Sequence, residues 1–288
     1  MSGESSIIER RIPVGDLFFN VVESGRGPAV VLLHGFPDSW HLWRHQIEAL
    51  AAAGFRVIAP DLRGFGQSDK PTEVHEYGMI HLVGDVTGIM DALDVETAVL
   101  VGHDWGSALA WMVATFAPAR VERLVAVSVG HPGAVAGAGL AQKRLSWYML
   151  WYQFPDVAET GLAENDWYFL RESFHGGAAP GSDPDFERQI ADLARPGALT
   201  AGLNWYRANI APAGFHRSTT GFDFPLITCP TMGVWGSDDF ALSERSMTGS
   251  ASYVRGPWRY ERLEDVDHWV PVHAAERLNV LLLDFLAE

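Results

Sequence analysis

The sequence predicts an α/β fold: a mostly parallel sheet flanked by helices, with a helical segment inserted before its last strands. Three observations carry this. Short apolar runs alternate with stretches of helical spacing, and the strand signal disappears from about residue 130 to residue 221. One strand also runs directly into a glycine-framed turn, Gly102-His103-Asp104-Trp105-Gly106. Strands separated by helices are the pattern of a parallel sheet buried on both faces.

The elements follow in order. Ser6–Ile12 and Leu17–Glu23 read as an opening pair of strands, and Val30–Leu33 and Arg56–Pro60 as short buried ones. Ala98–Val101 leads into the glycine-framed turn. Beyond it Leu109, Met112, Val113 and Phe116 recur at helical spacing. Leu124–Val129, Thr231–Trp235 and Trp258–Leu263 are the later strands, and Leu278, Leu281, Leu282 and Phe285 mark a closing amphipathic helix. Between the strands lies a segment with a Gly- and Ala-rich start (His131–Gly139), a breaker (Gly176–Pro184) and a loop-like end (Ala211–Gly221). The expected organisation is a core of residues 1–130 and 223–288 with a helical cap, or lid, at 131–222. The cap carries Trp147, Trp151, Trp167, Trp205, Tyr148, Tyr152, Tyr168 and Tyr206. So many aromatic residues suit a pocket between cap and core, although most of them serve to hold a small helical lobe together.

Bulk properties bound the function. A chain of 288 residues, 48% hydrophobic, buries a large core. A net charge of −15 speaks against a nucleic-acid partner, which needs a basic stripe. Cys229 is the only cysteine, so no intramolecular disulfide is possible, and it reads as a buried apolar residue rather than a reactive thiol. Met1–Arg11 lacks the apolar stretch of a signal peptide, and no apolar run approaches a membrane span. The expectation is a soluble cytoplasmic protein, monomer or homodimer. No dinucleotide-binding glycine motif occurs, and neither a metal nor a cofactor is expected.

The glycine-framed turn carries the chemistry. It has the frame of the nucleophile elbow, usually G-x-S-x-G, with Asp104 in place of the serine. A carboxylate needs no deprotonation at neutral pH, and it attacks saturated carbon to leave an ester on the protein. An esterase is therefore disfavoured; Ser107, on the following helix, is badly placed to attack. Hydrolysis of such an ester needs a base. His268, after the last strand, fits the order nucleophile, acid, histidine; its near rival, His273, falls at the start of the closing helix. The acid that orients the histidine should follow Thr231–Trp235. Asp238 and Asp239 both qualify; Asp239 is favoured, because Asp238 also reads as a turn or capping residue. The oxyanion hole should use the backbone N–H groups of Trp105 and Phe36, the latter in the loop after Val30–Leu33. His34 and His103 read as structural. Asp61-Leu62-Arg63-Gly64 reads as loop-shaping, and no catalytic role is assigned to it.

These residues lie in a chain that, over nearly its whole length, resembles the α/β-hydrolase fold and, within it, the epoxide hydrolases. The motifs are His34-Gly35-Phe36-Pro37-Asp38-Ser39-Trp40, Asp61 through Pro71, and the elbow itself. They mark the aspartate-nucleophile branch but do not separate epoxide hydrolases from dehalogenases. Asn204-Trp205-Tyr206-Arg207 resembles the cap motif whose tyrosine donates a proton to the epoxide oxygen, and Tyr148 stands at what looks like the second tyrosine position, with Tyr152 as its rival. A phenol suits that task because it can polarise a developing alkoxide without being ionised itself. The resemblance implies a small apolar or aromatic epoxide as substrate, with water. Phe36, Trp105, Trp151, Tyr152 and Trp269 are the expected pocket residues.

Two other readings remain. A haloalkane or haloacid dehalogenase could use the same Asp-His-Asp set. Fluoroacetate dehalogenases, however, carry arginines beside the nucleophile and a histidine–tryptophan pair in the cap; here Trp105 and Tyr148-Met149 stand at those places. Haloalkane dehalogenases share the tryptophan after the aspartate but commonly add a halide donor where Phe36 stands. A non-catalytic receptor or carrier on the same fold would be favoured by a missing triad member, and none is missing.

Overall fold

A computed structural model describes residues 7–174 and 179–288. Met1–Ser6, including the predicted start of the first strand, and residues 176–178 of the predicted breaker lie outside the described residues. The elements in chain order are β1 (Ile8–Val14), β2 (Leu17–Ser24), β3 (Ala29–Leu33), α1 (Arg44–Ala52), β4 (Arg56–Pro60), α2 (Met79–Ala92), β5 (Ala98–His103), α3 (Trp105–Phe116) and β6 (Val121–Val127). A helical insertion follows: α4 (Pro132–Gly137), α5 (Leu140–Leu145), α6 (Trp147–Trp151), α7 (Val157–Phe174), α8 (Pro184–Leu193) and α9 (Ala198–Asn209). The chain then returns to the sheet with β7 (Thr231–Gly236), α10 (Glu244–Thr248), β8 (Trp258–Leu263), α11 (Val270–His273) and α12 (Ala275–Ala287).

The sheet has eight strands in the order β1-β2-β4-β3-β5-β6-β7-β8. The β1–β2 and β2–β4 pairings are antiparallel and all the others are parallel. Its central strands read as continuous apolar runs because both faces are covered. Alternate residues enter two cores. Val31, Leu33 and Leu100 pack into one with α2 and α3, and Val30, Leu32, Val99 and Val101 into the other with α1 and α12.

Several sequence readings shift. β1 runs two residues beyond Ile12, because the hairpin turns at Gly15, where Val14 pairs with Leu17. β6 starts at Val121 and ends at Val127, since Ser128 adopts φ +66 and breaks the strand. α3 has no single apolar stripe: Trp105 through Thr115 are all buried, while Phe116, at the helix end, is exposed. α12 buries Leu278, Leu282 and Phe285 as the spacing predicts. His273 closes the separate short helix α11 rather than opening α12.

Local chemistry fixes the insertion. Asp183 caps α8 by accepting from the N–H groups of Asp185 and Phe186, with Pro184 as the first helical residue. α7 breaks at Glu164–Trp167 into two helical pieces. Arg207 of α9 donates to both oxygens of Glu159 on α7 (2.7 and 2.9 Å) and to the Tyr152 carbonyl just after α6 (2.9 Å), so one buried guanidinium ties three helices together.

Candidate active site

Asp104 occupies the turn between β5 and α3 with φ 53 and ψ −123, a conformation that side-chain-bearing residues rarely adopt and that functional sites store as strain. The neighbouring glycines make it possible. A Cβ on Gly106 would strike the Leu33 and His34 carbonyl oxygens, and one on Gly35 would strike the Asp104 carboxylate. Helix α3 and the loop after β3 therefore press against the turn and present its side chain at the C-terminal ends of the strands.

One oxygen of that carboxylate, Oδ1, accepts the backbone N–H of Phe36 at 2.9 Å. The other, Oδ2, lies 3.6 Å from His268 Nε2. On its far side His268 donates from Nδ1 to Asp239 Oδ2 at 2.9 Å. Asp239 is itself fixed, since its Oδ1 accepts from the N–H groups of Ala241 (2.9 Å) and Leu242 (2.8 Å). The His268 carbonyl is pinned by Ser128 Oγ (2.9 Å) and by His103 Nε2 (2.8 Å). Loops after β5, β7 and β8 thus bring Asp104, His268 and Asp239 into one line, joined by the 3.6 Å ion-pair contact on one side of the imidazole and a hydrogen bond on the other.

The electrostatics follow from burial. Burial acts to lower the His268 pKa, but the Asp239 charge, the Asp239 hydrogen bond and the adjoining Asp104 carboxylate outweigh it and hold the imidazole well above its usual value. Burial acts to raise the Asp104 carboxyl, but the hydrogen bond and charge of His268, with His103 and the Trp105 N–H, hold it below the usual range. The two are an ion pair of carboxylate and imidazolium. His103 is pushed down to about 3 by burial and then by the His268 charge, so it is neutral.

Tyr206 (α9) and Tyr148 (α6) face Asp104 across a cleft of about 280 Å³. Phe36, Pro37, Phe174, Phe240, Ala241, His268 and Trp269 complete its lining. Burial and then the Asp104 charge push both phenols well above their usual pKa, so both are neutral donors. The Trp105 ring stands edge-on to Tyr206 at 5.0 Å.

Of the expected pocket residues, Phe36 and Trp269 line the cleft, whereas Trp105 and Tyr152 stand behind Tyr206. Trp151 does not reach it. Its ring turns outward onto Phe169 (4.9 Å) and over Gly161, because α7 covers that side of α6. The rivals fall away: Asp238 is exposed and accepts from Ser237 Oγ, and His273 pairs with Asp267 at 2.7 Å, away from Asp104. Ser107 donates to the Val129 carbonyl instead of facing the cleft. His34 is structural, bonded to Gly35 and Leu62, and Asp61 gathers Asn20, Trp40 and Gln67 around its loop. Cys229 is partly buried, and burial pushes its thiol up, against reactivity.

Sequence reasoning missed part of the wall. Phe174 and Phe240 pack with ring centroids 5.3 Å apart and planes tilted by 33°, and only folding brings them together. It also gave no role to Asp38, whose buried carboxylate accepts from Gln189 of α8 (2.8 Å) and from the Trp269 indole (3.1 Å). Burial pushes Asp38 up to about 7, against those two bonds. It borders a second, more polar cleft of about 380 Å³ that shares Trp269 with the first.

The alpha/beta hydrolase fold family model matches residues 28–274. The chain is 32% identical to Epoxide hydrolase 4 of Mus musculus, covering 96% of this chain and 79% of that protein. It belongs to the epoxide hydrolase family of the α/β-hydrolase fold. It is also similar to the AB hydrolase superfamily protein YfhM of Bacillus subtilis, at 34% identity over 93% of each chain. The crystal structure of Epoxide Hydrolase A from Mycobacterium thermoresistibile superposes with a TM-score of 0.83 at 30% identity, over 98% of each chain. In this hydrolase, no helix of the described residues is long and apolar enough to cross a membrane.

Proposed function

We propose that this protein hydrolyses epoxides to vicinal diols through a covalent ester on Asp104. The observation that carries the reading is the Asp104 carboxylate itself, with Oδ1 on the Phe36 N–H and Oδ2 beside His268, below two neutral phenols. Asp104 Oδ2 attacks an oxirane carbon. The C–O bond to the ring oxygen breaks, and Tyr206 and Tyr148 hydrogen-bond that oxygen as its charge grows. The alkoxide gains a proton and His268 loses one, which leaves a neutral hydroxyalkyl ester and a neutral imidazole. This order follows from the electrostatics: once Asp104 is an ester, its charge no longer holds the His268 pKa up.

His268, oriented by Asp239, then takes a proton from water, and the hydroxide adds to Cγ of Asp104. Oδ1 becomes the oxyanion, held by the N–H groups of Phe36 and Trp105, each worth roughly 3 kcal/mol. The ester C–O bond breaks, the diol leaves, and a proton passes back so that the carboxylate–imidazolium pair is restored. Side chains and water carry every step. Residues 131–222 act as a cap on a core of 1–130 and 223–288, in a protein read as cytoplasmic. The cleft, walled by Phe36, Phe174, Phe240 and Trp269, favours an apolar or aromatic epoxide.

Styrene oxide and a haloalkane of similar size, given separately to the purified protein, test the activity. Diol from the first without halide from the second is the expected result. Halide release with no diol would overturn it in favour of a dehalogenase.

A further inference from the structure

Outside the triad, Tyr152 is a buried group with chemistry to spare. Tyr152 is fully buried, and its hydroxyl has no hydrogen-bond partner among the described residues. A ring alone would pack equally well at this position, so an unpaired hydroxyl there calls for an acceptor that the working site supplies.

Its neighbours say which one. Tyr152 follows Tyr148 by one helical turn, with its N–H on the Tyr148 carbonyl at 2.9 Å, which puts the two side chains on one face. Their ring centroids are 5.4 Å apart at 63°. Tyr152 also lies 4.9 Å from the Tyr206 ring and 6.0 Å from that of Phe36. Arg207 holds its carbonyl, so the backbone below the ring is fixed. Burial and then the Asp104 charge keep the Tyr152 phenol protonated, hence a donor. The two cleft phenols differ in their support. Tyr206 has the Trp105 ring edge-on to it at 5.0 Å, whereas Tyr148 packs between the Tyr152 ring at 5.4 Å and the Phe174 ring at 5.9 Å, of which only Tyr152 carries a donor.

We infer that Tyr152 is a positioning residue whose hydroxyl donates to the Tyr148 oxygen while Tyr148 donates to the oxirane oxygen. A chain of two phenols polarises the outer O–H more than one phenol does and stops it rotating out of line. The inference rests on the proposed role of Tyr148.

The test measures ester formation and ester hydrolysis separately, by single-turnover mass spectrometry, in the parent, Tyr152→Phe, Tyr148→Phe and the double variant. Tyr152→Phe should slow ester formation about fivefold, the value of one hydrogen bond, and leave ester hydrolysis unchanged. In the Tyr148→Phe background it should have no further effect, since its action runs through Tyr148. Its melting temperature should not fall, because no folded-state bond is removed. An unchanged ester-formation rate in Tyr152→Phe, equal slowing of both steps, or full additivity with Tyr148→Phe would each overturn the inference. A Tyr148→Phe protein that forms ester at the parent rate would remove the donor role of Tyr148 itself, and this inference with it.

Discussion

Asp104 and His268 hold each other in their charged forms, and that mutual dependence can be measured. In the parent protein the imidazolium keeps the Asp104 carboxyl below its ordinary value against the cost of burial. Ester formation should therefore stay level as pH falls toward about 4. In His268→Gln the ester accumulates, and burial acts on Asp104 with its main opponent gone. The acid limb of ester formation should then move to higher pH, within roughly pH 4 to 7. An acid limb at the parent's pH in that variant would contradict the ion pair. Replacing Tyr206 by Phe removes a donor from the leaving oxygen, and ester formation should drop about 100-fold with little change in ester hydrolysis. Rapid-quench measurement of the two steps checks this; equal losses in both would point to misfolding instead. At this scale the sequence was highly legible. Asp104 sits in a frame that few other turns share, and His268 and Asp239 follow strands that the apolar runs marked. Asp38 was not legible, because its partners Gln189 and Trp269 are distant in sequence and nothing local announces a buried carboxylate.

Among the elements, α6, α7 and α9 set the phenols. Arg207 joins all three, and its side chain is 6% exposed. Arg207→Ala would leave Glu159 short of its partner in a partly buried place, so a loss of about 3 kcal/mol in stability is expected. Ester formation should fall as well, since Tyr206 is the adjacent residue on α9 and Tyr152 loses its carbonyl anchor. Denaturant unfolding together with the single-turnover rate checks both; unchanged stability would mean that the insertion is held by apolar packing alone. Strands were easier to read than helix faces. β4 matches its predicted range to the residue, because sheet burial leaves a plain signal; β8, an edge strand of alternating aromatic and charged residues, matches as well. Trp151 was misplaced because an aromatic residue on a short helix can face either the cleft or the neighbouring helix, and only the course of α7 decides.

Across the whole molecule, the aligned Asp104, Asp239 and His268 side chains follow strands that lie within one run of the sheet, β5-β6-β7-β8. The helical insertion leaves after β6 and returns before β7, so it grows from the same edge and brings Tyr148 and Tyr206 over Asp104. Parallel strands ending at one edge make this possible, and the alternation of strand and helix in the sequence already implied it. The central claim is that Asp104, and not a free water, attacks the epoxide. A single turnover of styrene oxide with excess protein in ¹⁸O-labelled water tests it most directly, followed by digestion and weighing of the Asp104 peptide. The account predicts label in Asp104 and an unlabelled diol; label in the diol with Asp104 unlabelled would contradict it.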